Sequence, residues 1–314
     1  MRFVIVGPGA LGSVFAAALV RGGHEVTLLG RSSPHLVALK EGGLRLTDRD
    51  GTTEVLALPV SDDAAVVAGA DTIIVLVKAG DTAAAMQAIK PHIRPGQTVL
   101  TLQNGLHNAE RIVGVLGAEV RVLAGVTSQA GTRTGPGAVV HAGTGPTLIG
   151  AVRERETAAA VELAAMFSAA GLPAAAVPDI ERAIWQKVAV NAAINGITAL
   201  GGFPNGAIAD DPDLLDAAEI IAEEVASVAR GKGIEIGGMR RILHDTAEAT
   251  AGNRSSMLQD VEAGRLTEVG AIHGAILAEG GVTGIATPAI QVIAALIGAK
   301  EQTMSHPAAG ETDA

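Results

Sequence analysis

The chain has 314 residues, 48% of them hydrophobic, and a formal net charge of −10. This length predicts two domains, and an acidic chain without a basic block is not expected to bind nucleic acid or an anionic membrane as its main partner. Because the chain has no cysteine, disulfides, thiolate nucleophiles and zinc–thiolate sites are excluded. No metal site is predicted, and the absence of cysteine fits a cytoplasmic location.

The first predicted elements form a βαβ unit. An apolar strand over residues 2–6 leads into Gly7-Pro8-Gly9-Ala10-Leu11-Gly12, then a helix over 10–21 and a second strand over 25–29. The pattern G-x-G-x-x-G between a strand and a helix is typical of a dinucleotide-binding loop, where the backbone approaches the pyrophosphate and the helix N-terminus faces it. We predict that these six residues bind a cofactor; a plain strand–helix turn is the alternative.

The residues after the second strand bear on which cofactor is bound. An NAD site carries Asp or Glu at this place for the ribose 2′-hydroxyl, whereas this chain has Gly30-Arg31-Ser32-Ser33. An arginine beside two hydroxyls suits a 2′-phosphate, so Arg31 predicts NADP. The alternative is an exposed loop arginine.

Two further apolar strands, over 72–77 and 98–102, are each followed by a helix, over 82–89 and 108–116. Alternating strands and helices, with strands apolar on both faces, predict a parallel doubly wound sheet. The strands end at Lys78 and at Gln103-Asn104-Gly105, and ligands of such sheets bind at the carboxyl ends of strands. Lys78 and Asn104 are therefore candidate cofactor contacts; a solvated lysine and an Asn-Gly turn are the alternatives. Residues 121–150 are expected to form antiparallel strands that finish this domain.

The second half of the chain reads as helical. Asp211-Pro212 is a start signal and Lys232-Gly233 a stop signal, and an apolar stretch over 286–299 is too short to span a bilayer and predicts a buried or interface helix. We therefore expect an α/β fold: a Rossmann-type doubly wound domain over residues 1–178, an all-helical domain over 179–303, and a disordered tail over 304–314. The predicted helical segments are residues 155–170, 180–200, 212–232, 239–250, 256–263 and 268–279.

One predicted helix carries an unusual polar stripe. Lys187, Asn191 and Asn195 lie at i, i+4 and i+8 in an otherwise apolar helix, so they share one face. A cation on such a face can donate a proton or stabilise a negative charge that develops on a bound substrate, and Lys187 is the cation on this stripe. The alternative is a lysine that reaches solvent from a solvated helix face.

Five motifs, in this order along the chain, carry a resemblance to a known family. They are Gly7-Pro8-Gly9-Ala10-Leu11-Gly12; Leu102-Gln103-Asn104-Gly105; Trp185-Gln186-Lys187 with Asn191 and Asn195; Phe203-Pro204-Asn205-Gly206; and Ser255-Ser256-Met257-Leu258-Gln259-Asp260 with Thr267-Glu268. Over residues 1 to about 298 the chain closely resembles the ketopantoate reductase (2-dehydropantoate 2-reductase) family.

The resemblance implies an NADPH-dependent reduction of ketopantoate to pantoate, a step in pantothenate and coenzyme A biosynthesis. It implies that Lys187 is the catalytic lysine and Glu268 its partner acid. The same resemblance makes Arg31, Lys78 and Asn104 cofactor-binding positions. The implied substrate-binding residues are Asn104, Asn191, Asn195, Asn205 and Ser256.

The residues leave alternatives open at several positions. Ser256 with Gln259 also fits a helix capping box, and Glu268 also fits a first-turn acid after Thr267. Asp81 departs from the family, whose members often carry a polar amide for the cofactor there. The functional alternatives are reduction of another branched 2-keto acid and a non-catalytic NADPH sensor. The oligomeric state is open, with a homodimer as one option.

Overall fold

The computed structural model describes residues 1–305 and divides the chain into two compact units. The first unit comprises Met1–Gln103 and His107–Ile180; the second comprises Asn104–Leu106 and the chain from Glu181 onward. The predicted tail over 304–314 was wrong in its first two residues, because the last helix continues to Ser305. The remainder of that tail lies outside the described residues.

The first unit contains all the strands found in residues 1–305, and they form two sheets. A large sheet has the order β12-β11-β8-β7-β6-β1-β2-β5, and a small sheet has the order β4-β3-β10-β9. The strands are β1 (Arg2–Val6), β2 (Glu25–Leu29), β3 (Leu44–Thr47), β4 (Thr53–Leu56), β5 (Val60–Ser61), β6 (Thr72–Val75), β7 (Thr98–Thr101), β8 (Arg121–Thr127), β9 (Ala130–Gly135), β10 (Ala138–Gly143), β11 (Thr147–Ala151) and β12 (Ala174–Ala176).

The large sheet confirms the predicted doubly wound architecture. Every neighbouring pair in it is parallel except β8 and β11. Strands β6 and β7 are buried at every residue, as expected for parallel strands covered on both faces. The helices of this unit are α1 (Ala10–Arg21), α2 (Pro34–Gly42), α3 (Thr82–Ile89), α4 (Asn108–Leu116) and α5 (Thr157–Ala169).

The expectation of antiparallel strands over 121–150 was partly wrong. Strand β8 extends the parallel sheet beside β7, and only its other edge pairs antiparallel, with β11. Strands β9 and β10 leave this sheet and pair antiparallel with each other in the small sheet, where β10 runs parallel to β3. The pairing of Arg45 with Ala138 joins segments far apart in sequence, which a local pattern does not indicate.

The second unit is helical, as predicted. Asp211 caps its longest amphipathic helix by accepting from the backbone amides of Asp213 and Leu214, and Pro212 is the first helical residue. The helices are α6 (Ile180–Gly201), α7 (Ala207–Asp210), α8 (Pro212–Gly231), α9 (Met239–Ala249), α10 (Ser256–Glu262), α11 (Ala275–Thr283) and α12 (Pro288–Ser305). No helix within residues 1–305 is both long and apolar enough to cross a membrane.

The segment over 268–279 is not one regular α-helix. It opens with a π-helical turn, Gly270–Gly274, and α11 follows directly. Each hydrogen bond of a π turn spans one residue more than that of an α-helix, and such turns often occur at functional sites. The amides of Ala271 and Ile272 both donate to the carbonyl of Glu268, at 3.0 Å, so Glu268 is held at the entry to this turn.

Candidate active site

The glycine loop in the first unit leaves open space in front of a helix N-terminus. Gly7 follows β1 with φ +107°, and a Cβ at this position would lie 2.5 Å from the backbone nitrogen of Val77. Helix α1 begins after Gly9 with no side chain capping it and no acidic residue in its first turn. A Cβ on Gly9 would meet nothing within 4 Å. The open space before a helix N-terminus therefore fits a pyrophosphate group.

The structure pairs Arg31 with a carboxylate. The Arg31 side chain is 84% exposed, and its Nη2 atom donates to Oδ2 of Asp81 at 3.1 Å. Lys78 is exposed at the end of the chain segment that follows β6, directly before the 3₁₀ turn Ala79–Asp81. Any group that Arg31 binds has to share this guanidinium with Asp81.

Gln103 holds the ends of two strand segments together. Its Nε2 atom donates to the carbonyl of Val77 at 2.7 Å and to Oγ1 of Thr82 at 2.8 Å. The side chain of Gln103 is therefore occupied within the first unit. The next residue, Asn104, belongs to the second unit.

A polar cluster lies in the second unit. The Asn104 Nδ2 atom donates to Oε2 of Glu268 at 3.3 Å, and its Oδ1 atom accepts from Nδ2 of Asn191 at 3.5 Å. Asn191 lies on α6 one turn after Lys187 and one turn before Asn195, which is buried with 8% exposure. The structure thus brings together Lys187, the side-chain amides of Asn104 and Asn191, and the carboxylate of Glu268, which come from three separate segments of sequence.

The ammonium group of Lys187 has a perturbed pKa. Burial lowers the pKa of Lys187 from 10.5 to about 8, and the nearby carboxylate of Glu268 opposes that shift by favouring the charged form. At neutral pH the ammonium is therefore mostly protonated, yet it releases a proton far more readily than an exposed lysine does. A pKa near the working pH is what general acid–base catalysis requires.

The residue that caps α10 is Ser255, so the expected capping role of Ser256 was wrong. The Ser255 Oγ atom accepts from the amide of Leu258 at 3.2 Å and from Oγ1 of Thr198, on α6, at 2.8 Å. Gln259 bonds the carbonyl of Arg254 instead of closing a capping box. Ser256 is the first helical residue and is exposed, which leaves its hydroxyl open to a ligand.

Asn205 is tied to a neighbouring loop. Its Nδ2 atom donates to Oγ1 of Thr250 at 3.0 Å, and its backbone amide donates to the carbonyl of Asn253 at 2.9 Å. The Oδ1 atom of Asn205 is buried without a hydrogen-bond partner among the described residues. An acceptor left in this condition is suited to a donor from a ligand or a water molecule.

Sequence reasoning missed the contacts that two residues make with α6. Ser255 stands next to another serine, so the pattern gives two candidate caps one residue apart. His273 shows no partner pattern in the sequence, but its Nε2 atom lies 3.0 Å from the carbonyl oxygen of Ala192 on α6. Within residues 1–305, no group of three or more His, Asp or Glu side chains is arranged to hold a metal ion.

Comparisons with known proteins match nearly the whole chain to one family. The family model described as ketopantoate reductase PanE/ApbA matches residues 3–154, and its C-terminal counterpart matches residues 179–301. A 2-dehydropantoate 2-reductase of Halobacterium salinarum is 41% identical, over 95% of this chain and 98% of its own.

Solved structures agree as well. A PanE/ApbA family ketopantoate reductase from Ralstonia eutropha JMP134 is 33% identical with a TM-score of 0.88, over 98% of this chain and 100% of its own. A D-mandelate dehydrogenase in a ternary structure with NADH and anilino(oxo)acetate is 29% identical with a TM-score of 0.92, over 97% and 99% of the two chains. The chain belongs to the ketopantoate reductase family.

Proposed function

We propose that the protein is an NADP-dependent 2-dehydropantoate 2-reductase, which reduces ketopantoate to pantoate. The observation that carries this proposal is Lys187, a lysine with a pKa of about 8 beside Glu268 in a chain of this family. The product places the reaction in pantothenate and coenzyme A biosynthesis, and we expect a cytoplasmic enzyme.

In this proposal Lys187 is the general acid. As the ketone carbon is reduced, negative charge develops on the carbonyl oxygen, and the ammonium stabilises that charge and gives up its proton. Glu268 favours the protonated ammonium before the reaction, because its carboxylate opposes the effect of burial. The neutral amides of Asn191 and Asn195 can orient a substrate without forming an ion pair that would fix the lysine.

The substrate carboxylate and hydroxyl need further donors and acceptors. We propose Ser256 for the carboxylate, because its hydroxyl is exposed at the start of α10. Asn205 is proposed as a second substrate contact, because its buried Oδ1 atom has no partner among residues 1–305. Asn104 forms hydrogen bonds with both Glu268 and Asn191, so we propose that it orders the Glu268 carboxylate and contacts substrate and cofactor.

We further propose that residues 1–178 form the NADP-binding domain and 179–303 the substrate and catalytic domain. When bound, the nicotinamide cofactor supplies the hydride. The backbone of residues Gly7, Pro8, Gly9, Ala10, Leu11 and Gly12 would hold the pyrophosphate, Arg31 would hold the 2′-phosphate, and Lys78 would be a further cofactor contact. The ion pair of Arg31 with Asp81 weakens the preference for NADPH over NADH, since part of the arginine charge is already neutralised.

A second candidate substrate is another 2-keto acid. It is favoured by the TM-score of 0.92 to a D-mandelate dehydrogenase, whose structure contains NADH and anilino(oxo)acetate. A non-catalytic NADPH sensor is the weaker alternative, because sensing does not require a lysine whose pKa is lowered to about 8.

The test is an assay of NADPH and NADH oxidation against 2-dehydropantoate and a panel of branched and aromatic 2-keto acids. The proposal expects the highest kcat/KM for 2-dehydropantoate with NADPH, and little turnover by K187A. A higher kcat/KM for another keto acid would identify that acid, and not 2-dehydropantoate, as the preferred substrate. Cofactor binding without turnover of any keto acid would favour the sensor.

A further inference from the structure

The π turn Gly270–Gly274 contacts two other segments that carry proposed site residues. On one side the carbonyl of Ala271 accepts from the amide of Leu106 at 3.3 Å. Gly105 has φ +90°, and a Cβ there would lie 2.4 Å from that same carbonyl oxygen. Only glycine therefore allows the chain next to Asn104 to approach the π turn this closely.

On the other side the π turn meets α6 through His273. This side chain has 0% exposure, and its Nε2 atom lies 3.0 Å from the carbonyl oxygen of Ala192. Since a carbonyl only accepts hydrogen bonds, Nε2 carries the proton and Nδ1 carries the lone pair. The buried Nδ1 atom has no hydrogen-bond partner within residues 1–305.

Packing alone does not explain a histidine at this position. Burial lowers the pKa of His273 to about 4, so the ring is neutral at physiological pH and makes no ion pair. A buried polar atom without a partner is destabilising, and an apolar residue of similar size avoids that cost. The histidine therefore contributes something that an apolar residue cannot, namely the hydrogen bond to Ala192.

Helix α6 has a glycine, Gly196, where the imidazole contacts it. A Cβ on Gly196 would lie 3.0 Å from Nε2 of His273 and 2.7 Å from Cγ2 of Ile293. Gly196 follows Asn195 directly, and Ala192 follows Asn191 directly. The ring thus contacts the backbone of α6 within the stretch that presents the two asparagines.

We propose that His273 is a positioning residue: its hydrogen bond to Ala192 fixes the π turn along α6, and so sets the position of Glu268 relative to Lys187 and Asn191. This inference rests on the proposed reductase function. It assigns His273 no contact with substrate or cofactor. The charged groups of the cluster are Lys187 on α6 and Glu268 before the π turn; Asn104 and Asn191 are neutral.

The test is a double-mutant cycle between His273 and Glu268. H273L removes the donor and puts an apolar side chain in its place, and H273Q keeps an N–H donor close to the Nε2 position. H244L is the control variant, at a partly exposed histidine on α9. Each variant, alone and combined with E268Q, is compared with the unmodified protein. The measurements are kcat and KM for 2-dehydropantoate across pH, NADPH affinity by fluorescence, and Tm.

We expect H273L to lower kcat roughly 10- to 100-fold, the effect of a displacement near 1 Å, with unchanged NADPH affinity and a Tm that is equal or higher. The pH above which kcat/KM falls should be lower in H273L than in the unmodified protein, because a displaced Glu268 no longer raises the pKa of Lys187. When E268Q is already present, H273L should lower kcat by less than about threefold, because the effects of two residues that act together are not additive. H273Q should recover most of kcat, and H244L should match the unmodified protein.

Three results would overturn the inference: an unchanged kcat in H273L, the same loss with and without E268Q, or a folded H273Q as slow as H273L. If H273L does not fold, H273N replaces it in the cycle, because its shorter amide does not reach the Ala192 carbonyl.

The proposed function is decided separately, by turnover of the unmodified protein. If that turnover is absent, the titration of Lys187, one of six lysines, is followed by NMR of labelled lysine. A lower pKa in H273L supports the positioning role, and an unchanged pKa refutes it.

Discussion

The side-chain Nδ2 atom of Asn104 lies 3.3 Å from the Oε2 atom of Glu268, although the two residues are 164 positions apart in sequence. The same side chain accepts from Asn191 at 3.5 Å. An asparagine amide both donates and accepts, so Asn104 links the acid to α6 without adding a charge. The carboxylate is therefore ordered while its charge still acts on Lys187.

The first prediction concerns pH. If Lys187 is the general acid, kcat/KM for keto-acid reduction should fall about tenfold per pH unit above the pKa of about 8. Pantoate oxidation should rise over the same range, because the reverse reaction needs the neutral amine. K187A should lose roughly 10²- to 10⁴-fold in kcat/KM together with this limb. Near-normal turnover by K187A would move the proton donor elsewhere, with Lys78 the next candidate.

The second prediction concerns Glu268. E268A removes the carboxylate that Asn104 bonds and that favours the protonated Lys187. We expect kcat/KM for the keto acid to fall about 10- to 100-fold, in line with loss of a charged hydrogen bond. NADPH affinity, measured by fluorescence titration, should stay within about twofold. A variant whose main defect is NADPH affinity would place Glu268 at the cofactor instead.

The third prediction separates the two members of an ion pair. R31D should weaken NADPH binding at least tenfold more than NADH binding, because a charge-assisted contact to the 2′-phosphate is replaced by repulsion. D81N should have the opposite effect and tighten NADPH binding up to about fivefold, the scale of one exposed ion pair. The affinities of 2′,5′-ADP and 5′-AMP isolate this contact. Equal use of NADPH and NADH by the unmodified protein would refute an NADP preference.

The fourth prediction uses two adjacent serines as matched controls. S255A removes the cap of α10 and the acceptor of Thr198, so we expect a loss of about 1–2 kcal/mol in unfolding free energy. S256A changes an exposed position and should alter stability by less than about 0.5 kcal/mol. Its KM for 2-dehydropantoate should instead rise about tenfold if the hydroxyl meets the carboxylate. An unchanged KM in S256A would remove that residue from the substrate site.

Patterns with a fixed period or a defined turn were predictable from the sequence. The parallel sheet followed from apolar strands that alternate with helices, and the polar face of α6 followed from the i, i+4, i+8 spacing. The start of α8 followed from Asp211-Pro212, because both its capping and its backbone geometry are local. These features depend on neighbours within one or two helical turns.

Other features depend on contacts between distant segments and were not predictable. The pairing of Arg31 with Asp81 joins residues 50 positions apart, and the parallel pairing of β3 with β10 joins residues about twice as far apart. The cap of α10 was placed one residue late, because both adjacent serines have the required hydroxyl and only the partner Thr198 distinguishes them. Within the π turn, His273 forms its hydrogen bond with Ala192 of a different helix, a contact that the local sequence does not indicate.

The assignment of Asn104–Leu106 to the second unit affects any attempt to dissect the protein. A gene cut near residue 180 would yield a helical fragment without Leu106, a member of its own hydrophobic core, and without the amide that orders Glu268. Such a fragment would expose an apolar gap and would aggregate or bind hydrophobic dyes.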